Sequence, residues 1–476
     1  MARPPSRTPK PARSPPARRD SPNRSPRRPP AKPDIWGKLE VARLNTGQKL
    51  GAALSLLDAI DASGHGADRA AADWFRGNRR FDGPPRGEIM DQVDAVLRHR
   101  AALDWWTARE GKGVAIGNRT RLLAAHVLAH KREAGSLIRA CDGEGLAPAA
   151  VDDAERLFLD ALKGHTVFHP AMPLDVRAGF PAWLEPHLRR HWGDTLEDEM
   201  AAMLRLAPTD LRANALKLKR DDALGVLAKQ GLATKPTPLS PLGLRLGPKT
   251  DIGKIAALAE GLVEVQDEGS QIAALLVDAK PGHWVVDFCA GAGGKTMVMA
   301  GTMANRGHIV ALDVNEFRLT RARQRLRRAG AENVECRSMD AKWVKRQAGR
   351  ADRVLVDAPC TGTGTWRRKP DARWRLQPAD VAELVPRQAE ILDRAAKLVK
   401  AGGRLIYVTC SLLAAENQDQ VATFLARHAD FTALDIATLW PDTVGGASPM
   451  PGPYLQLTPA RHGTDGFFVA VLAKKV

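Results

Sequence analysis

From Ile35 to about Leu162 the apolar residues recur every three or four positions, as in LGAALSLLDAI (50–60) and MDQVDAVLRHRAALDWW (90–106), with few β-branched runs. One face of a 3.6-residue helix repeats at that interval, so an all-helical domain is expected over 34–165. Between Phe168 and Ala274 the pattern mixes. WLEPHLRRHW (183–192) reads as an apolar-basic helix, LRANALKLK (211–219) as a strand, DDALGVLAKQG (221–231) as a helix, and the proline-rich stretch to Leu246 as extended chain. This predicts a linker helix and a small α/β module over 166–274. From about Pro281, short continuous apolar runs alternate with longer helical patterns: HWVVDF (283–288), HIVALDV (308–314), VECRSM (334–339), RVLVDAP (353–359) and RLIYVTC (404–410). Strands buried on both faces read this way, and their alternation with helices predicts a Rossmann-like, doubly wound α/β domain over 275–476. Ligands of such sheets gather beyond the carboxyl ends of the strands. Asp287, Asp313, Asp340, Asp357, Cys360 and Cys410 are therefore expected along one edge.

Charge adds a partner to this picture. The formal net charge is +17, and residues 1–33 carry ten Lys/Arg against one Asp, together with eleven of the 33 prolines. That segment has too little apolar surface to offset its ordering entropy and reads as a disordered basic tail. A nucleic-acid arm, a solubilising tail and an organelle transit peptide all share its composition. The body of the chain is basic as well, which points to a polyanion such as RNA. Six arginines lie in NEFRLTRARQRLRRAG (315–330), and TWRRKPDARWR (365–375) interleaves basic residues with Trp366 and Trp374. Arg318, Arg367, Arg368, Lys369, Arg373 and Trp374 are the candidate RNA contacts, by phosphate clamping and base stacking. WFRGNRRFDGPPRG (74–87) is better read as an interhelical turn whose aromatic residues pack inward, and Arg212, Lys217, Lys219 and Arg220 as a solvated strand face. No apolar run is long enough to span a membrane or to form a secretory leader, so a cytoplasmic protein, without membrane association and monomeric, is expected.

The first apolar run of the third region enters CAGAGGKT (289–296). A phosphate-binding P-loop would need glycine where Cys289 stands, and the dinucleotide register G-x-G-x-x-G fails at Thr296. Asp313, at the end of the next strand, is placed to accept both hydroxyls of a ribose. A glycine turn followed by this carboxylate makes a nucleoside pocket, and S-adenosylmethionine fits it better than a dinucleotide. Asp340 is placed to take the adenine amino group, or else to cap the helix that follows it.

Cysteines 141, 289, 336, 360 and 410 show no CxxC or CxxH spacing, which argues against a disulfide framework and a metal site. Cys141 and Cys336 read as small buried hydrophobes. Cys360 and Cys410 stand at or past the ends of apolar strands, on the cofactor edge. Carbon 5 of cytosine is a poor nucleophile until a thiolate adds at carbon 6, and a second group must then help expel the thiol. Two cysteines on one edge suit that chemistry, with Lys295 as a neighbouring cation and Asp357 able to hold or protonate the ring nitrogen. Residue chemistry alone leaves open which cysteine attacks.

VQDEGSQ (265–271), DFCAGAGGKT, ALDV, DAPCTGTGTWRRKPDARWR (357–375), YVTCSLLAAEN (407–417) and TDGFF (464–468), in this order, resemble the RsmB/Nop/Sun family of RNA 5-cytosine methyltransferases over roughly residues 180–476. The resemblance implies that Cys410 attacks and Cys360 releases the product. It also implies cofactor contacts from Cys289, Ala290, Gly291, Ala292, Gly293, Gly294, Lys295, Asp313, Asp340 and Asp357. The chain departs from the family's AAPGGKT with Gly291 for an alanine and Ala292 for the proline, which is expected to tune cofactor affinity. The helical region is similar to the NusB-like domain of bacterial RsmB proteins, implying small-subunit ribosomal RNA as substrate. The same chemistry on tRNA, and a catalytically silent RNA-binding ribosome assembly factor, are the alternatives.

Overall fold

A computed structural model describes residues 44–247 and 250–476; the basic segment 1–33 lies outside the described residues. Helices carry the chain from Thr46 to Ala202. The first, Thr46–Ala62, begins on a reciprocal cap in which the Asn45 side chain accepts from Gln48 N while Gln48 Oε1 accepts from Asn45 N. This satisfies two otherwise orphan donors. Its buried Leu50, Leu56, Leu57 and Ile60 form one face, and the helix packs on the long helix Pro84–Glu110, which breaks helical geometry at His99. Both repeats noted in the sequence therefore fall inside helices. Between these helices Phe75 and Phe81 are buried and Trp74 stacks on Phe81 at 5.3 Å, so the basic-aromatic stretch 74–87 is a packed turn.

Strands β1 (Asp210–Ala213), β2 (Thr234–Pro236), β3 (Gly243–Leu246) and β4 (Val263–Val265) form a sheet in the order β2-β3-β1-β4, with antiparallel neighbours. Helix Arg220–Lys229 covers it, packing Ala223 and Leu227 against Leu211, Leu244 and Val263. The strand expected over 211–219 stops at Ala213, because the Asn214 side chain turns the chain by donating to the carbonyls of Gly261 and Ala329, each at 2.8 Å. Of the four basic residues read as a solvated face, Arg212 is instead buried, whereas Lys217 stays exposed and its Nζ donates to the Glu260 and Arg328 carbonyls.

The larger sheet contains β5 (Trp284–Asp287), β6 (His308–Asp313), β7 (Val334–Ser338), β8 (Ala351–Asp357), β9 (Val399–Thr409), β10 (Phe431–Ala433), β11 (Tyr454–Leu457) and β12 (Phe467–Lys474). Its order is β10-β12-β9-β8-β5-β6-β7, with β11 paired to β12. The pairings among β5 to β9 are parallel and those of β12 antiparallel. The five strands drawn from the sequence are present, and β12 closes the sheet as a further apolar run. Alternate residues feed two cores: Val285, Ile309, Leu355 and Ile406 on one face, Val286, Val310, Val354 and Tyr407 on the other. Period-two burial on both faces is what continuous apolar strands require. Chain order reverses between β5 and β8, a switch point that opens a crevice at their carboxyl ends. No helix among the described residues is long and apolar enough to cross a membrane.

Candidate active site

Because β8 and β9 are parallel, with Asp357 opposite Val408, the segments leaving them emerge on the same edge. They bring the sulfurs of Cys360 and Cys410 to 3.5 Å. The hydrogen bond that the Cys360 thiol donates to Cys410, then burial, then the charges of Cys410 and Glu416 hold this thiol well above the usual thiol range. Cys360 is thus kept protonated beside its partner. Helix Gly294–Thr302 supplies the buried Lys295, whose Nζ donates to Asp357 Oδ2 at 2.6 Å and lies 5.4 Å from the centre of the Phe467 ring. Cys336 packs partly buried against a small apolar cluster and Cys141 is buried, away from this pair.

The turn after β5 continues the sheet through Phe288 N and Ala290 N, which donate to the Leu355 and Leu312 carbonyls. Gly291 (φ +56°) and Gly293 (φ +76°) are left-handed, a conformation glycine takes without steric cost. A Cβ on Gly293 would lie 3.3 Å from Ala322 Cβ, so the turn also sits close on the neighbouring helix. Gly291 N donates to Asp313 Oδ2 at 2.9 Å and Asn315 N to Oδ1 at 2.8 Å, which locks the carboxylate at the end of β6. The Ala292 carbonyl accepts from Arg325, and Gly294 opens the helix. Asp287 is buried: burial pushes its carboxyl up to about 7, Thr296 donates to Oδ2 at 2.7 Å, and Oδ1 has no partner among the described residues.

A cavity of about 400 Å³ is lined by Phe288, Cys289, Gly291, Asp313, Asp357 and both thiols, together with Arg387 and Glu390 from helix Pro378–Ala396. A nucleoside-bearing cofactor fits this lining: the fixed Asp313 carboxylate can accept from hydroxyls, and Gly291 leaves open space beside it. Burial holds the Cys289 thiol protonated, so it serves as wall. Asp340 caps helix Ala341–Arg346 through Lys342 N at 2.9 Å and follows Met339, itself part of the wall.

Two of the four arginines assigned to RNA are internal. Arg367 is 4 % exposed and pairs with Asp465 and Asp267; Arg368 pairs with the same two carboxylates. Arg373, fully buried, donates to the carbonyls of Gly179, Met203 and Trp366. Trp366 is buried, and Trp374 Nε1 donates to the Leu97 carbonyl at 2.9 Å. Arg98 reaches the Arg367 carbonyl and Asp371 accepts from Ala67 N. The 365–375 run is therefore a strut fastening the helical region to the doubly wound domain, and the assignment of Arg367 and Arg373 to RNA contact is corrected, while Arg368 and Trp374 remain half-buried. Their charges and polar edges are spent on partners far away in sequence. Arg318 and Lys369 do reach the surface.

Glu416, Asn417 and Gln388, none singled out from the sequence, are fully buried around the two cysteine loops. The only signal was the pair Glu-Asn six residues after Cys410, polar residues in a segment otherwise apolar.

Residues 274–473 match the family described as 16S rRNA methyltransferase RsmB/F, and residues 180–253 match the ferredoxin-like domain of RsmF/B-like methyltransferases. A probable ribosomal RNA small subunit methyltransferase B from Synechocystis sp. is 37 % identical over 305 residues, 63 % of this chain and 68 % of that protein. The ribosomal RNA small subunit methyltransferase B of Salmonella paratyphi B is 36 % identical over 303 residues, with the same two coverages. Among solved structures, that of PH0851 superposes with a TM-score of 0.72 at 27 % identity, covering 90 % of this chain and 99 % of the other. A methyltransferase homologue from Pyrococcus horikoshii gives 0.54 at 28 % identity, covering 64 % of this chain and 100 % of the other.

Proposed function

This chain belongs to the RsmB/F methyltransferase family, and on that premise we propose that it methylates carbon 5 of a cytosine in RNA, through a covalent adduct between Cys410 and carbon 6, with S-adenosylmethionine as methyl donor. The observation that carries this reading is the pair of thiols 3.5 Å apart at the sheet's switch point, beside the Lys295–Asp357 pair. Small-subunit ribosomal RNA is the proposed substrate class, in keeping with the names of the Synechocystis and Salmonella relatives.

S-adenosylmethionine, when bound, supplies an electrophilic methyl group on a sulfonium. Asp313 would hold its ribose, and the 289–294 turn its amino-acid end. The remaining work falls to this chain's side chains. Cys410 adds as thiolate to carbon 6; the new C–S bond forms as the carbon 5–carbon 6 π pair shifts toward carbon 5, which becomes nucleophilic. Asp357, held by Lys295, orients the pyrimidine by accepting from its 4-amino group, beside ring nitrogen 3. Once carbon 5 is methylated its proton is lost to water, that C–H pair rebuilds the double bond, and the C–S bond breaks with its electrons returning to Cys410. Cys360, protonated at 3.5 Å, donates a hydrogen bond to the departing sulfur. Reaching the base requires a loop or an extruded nucleotide.

The test is bisulfite sequencing of RNA from cells with and without the protein, complemented with Cys410→Ala or Cys360→Ala, alongside denaturing gels for trapped adducts. The reading expects one small-subunit cytosine to lose its mark without the protein and in Cys410→Ala, and a covalent RNA adduct in Cys360→Ala. An unchanged map would overturn it.

A further inference from the structure

Two adjacent residues, Glu416 and Asn417, lie beneath the thiol pair at zero exposure, and each grips a different cysteine loop. Glu416 Oε1 accepts from Thr361 N at 2.9 Å, and its Oε2 accepts from Thr361 Oγ1. Gln388 Nε2 donates both to Glu416 Oε1 at 2.9 Å and to the Pro359 carbonyl at 3.0 Å. The peptide groups on either side of Cys360 are thereby bound to one carboxylate-amide brace. Asn417 accepts from Thr409 Oγ1 and donates from Nδ2 to the Ser411 carbonyl at 2.8 Å, which holds the residues on either side of Cys410. Between the loops, Ser411 Oγ meets Thr361 Oγ1 and Thr363 Oγ1 at 3.3 Å each, and Gly364 N donates to the Cys410 carbonyl at 2.9 Å.

A buried carboxylate is costly to keep in a core, and a neutral residue would satisfy a backbone donor with less desolvation. Among the described residues Glu416 has neutral hydrogen-bond donors and no ion pair. Its negative charge faces the Cys360 loop and contributes to keeping that thiol protonated. Asn417 is an amide, offering one acceptor and one donor to a loop that needs both. The chemistry at the two loops differs in the same sense: one cysteine must stay a thiol, the other must act as thiolate.

We propose that Glu416 and Asn417 are positioning residues that divide the two half-reactions, Glu416 setting Cys360 for product release and Asn417 setting Cys410 for attack. This rests on the two-cysteine reading above. The assay is single-turnover reaction of the full-length protein with S-adenosylmethionine and a small-subunit ribosomal RNA transcript, following adduct on denaturing gels and 5-methylcytosine by label transfer.

Glu416→Gln is expected to form adduct at near the native rate and to release it about tenfold or more slowly, so that adduct accumulates. In the Cys360→Ala background it should slow release no further, because both changes act on one step. Asn417→Ala is expected to slow adduct formation about tenfold without accumulation. Cofactor affinity should be native in both variants. Should either variant lose cofactor binding through misfolding, Gln388→Leu, which removes only the outer half of the brace, decides by the same accumulation test. Equal loss in both steps, or native release from Glu416→Gln and Gln388→Leu, would overturn the assignment. Absence of adduct from Cys360→Ala itself would instead sink the underlying two-cysteine chemistry.

Discussion

Replacing Arg367 with Met separates a strut from an RNA contact. Arg367 is 4 % exposed and lies between Asp465 and Asp267, and with Arg368 these side chains form a cluster of two positive and two negative charges. Methionine fills much of the volume but leaves two buried carboxylates facing Arg368 alone. Removing one partner from a buried pair costs about 3–5 kcal/mol, most of it the desolvated charge left behind. For a cooperative unit of some 200 residues that corresponds to a melting point lower by roughly 6–20 °C. Asp465→Asn should act similarly. The double variant should be more stable than the sum of the single losses by about 1–3 kcal/mol, since the second change removes a charge the first orphaned. Thermal unfolding without RNA measures this. A melting point within about 1 °C of native, together with weaker RNA binding and a salt dependence shallower by about one counterion, would refute the reasoning and return Arg367 to the RNA surface.

Three further outcomes follow from particular residues. His99 and His126 are driven down to about 4, chiefly by burial, so each is neutral in the folded protein. With folded values below the unfolded 6.5, the unfolded chain takes up protons first. Their contribution is complete above 6.5 and lost as pH falls from 6.5 toward 4, at up to about 1.4 kcal/mol per pH unit for each histidine, read from melting curves of His126→Gln against the native protein. Gly291→Ala places a Cβ on a residue at φ +56°, which costs about 1 kcal/mol and should weaken S-adenosylmethionine binding severalfold by calorimetry. Asp313→Ala removes a carboxylate fixed by two backbone amides, and should lower cofactor affinity by about 1.5–3 kcal/mol while leaving RNA binding in the absence of cofactor unchanged.

Local pattern made much of this protein legible before any contact was known. Short continuous apolar runs located β5 to β9, and the period-3.6 repeat the early helices, because burial acts on neighbouring residues within one element. That Asp313, Asp357, Cys360 and Cys410 share one edge was legible because the carboxyl ends of parallel strands must lie together, and β8 and β9 do bring the two cysteines together. Tertiary structure alone decided which charges face solvent. Arg367 is neutralised by Asp465, 98 residues away, and Arg373 is consumed by the carbonyls of Gly179 and Met203. A string of arginines reads the same whether its partners are phosphates or distant carboxylates, since charge compensation acts through space. Glu416 and Asn417 escaped notice for the same reason: their importance lies in the loops they grip, and those loops meet them only once the sheet has closed.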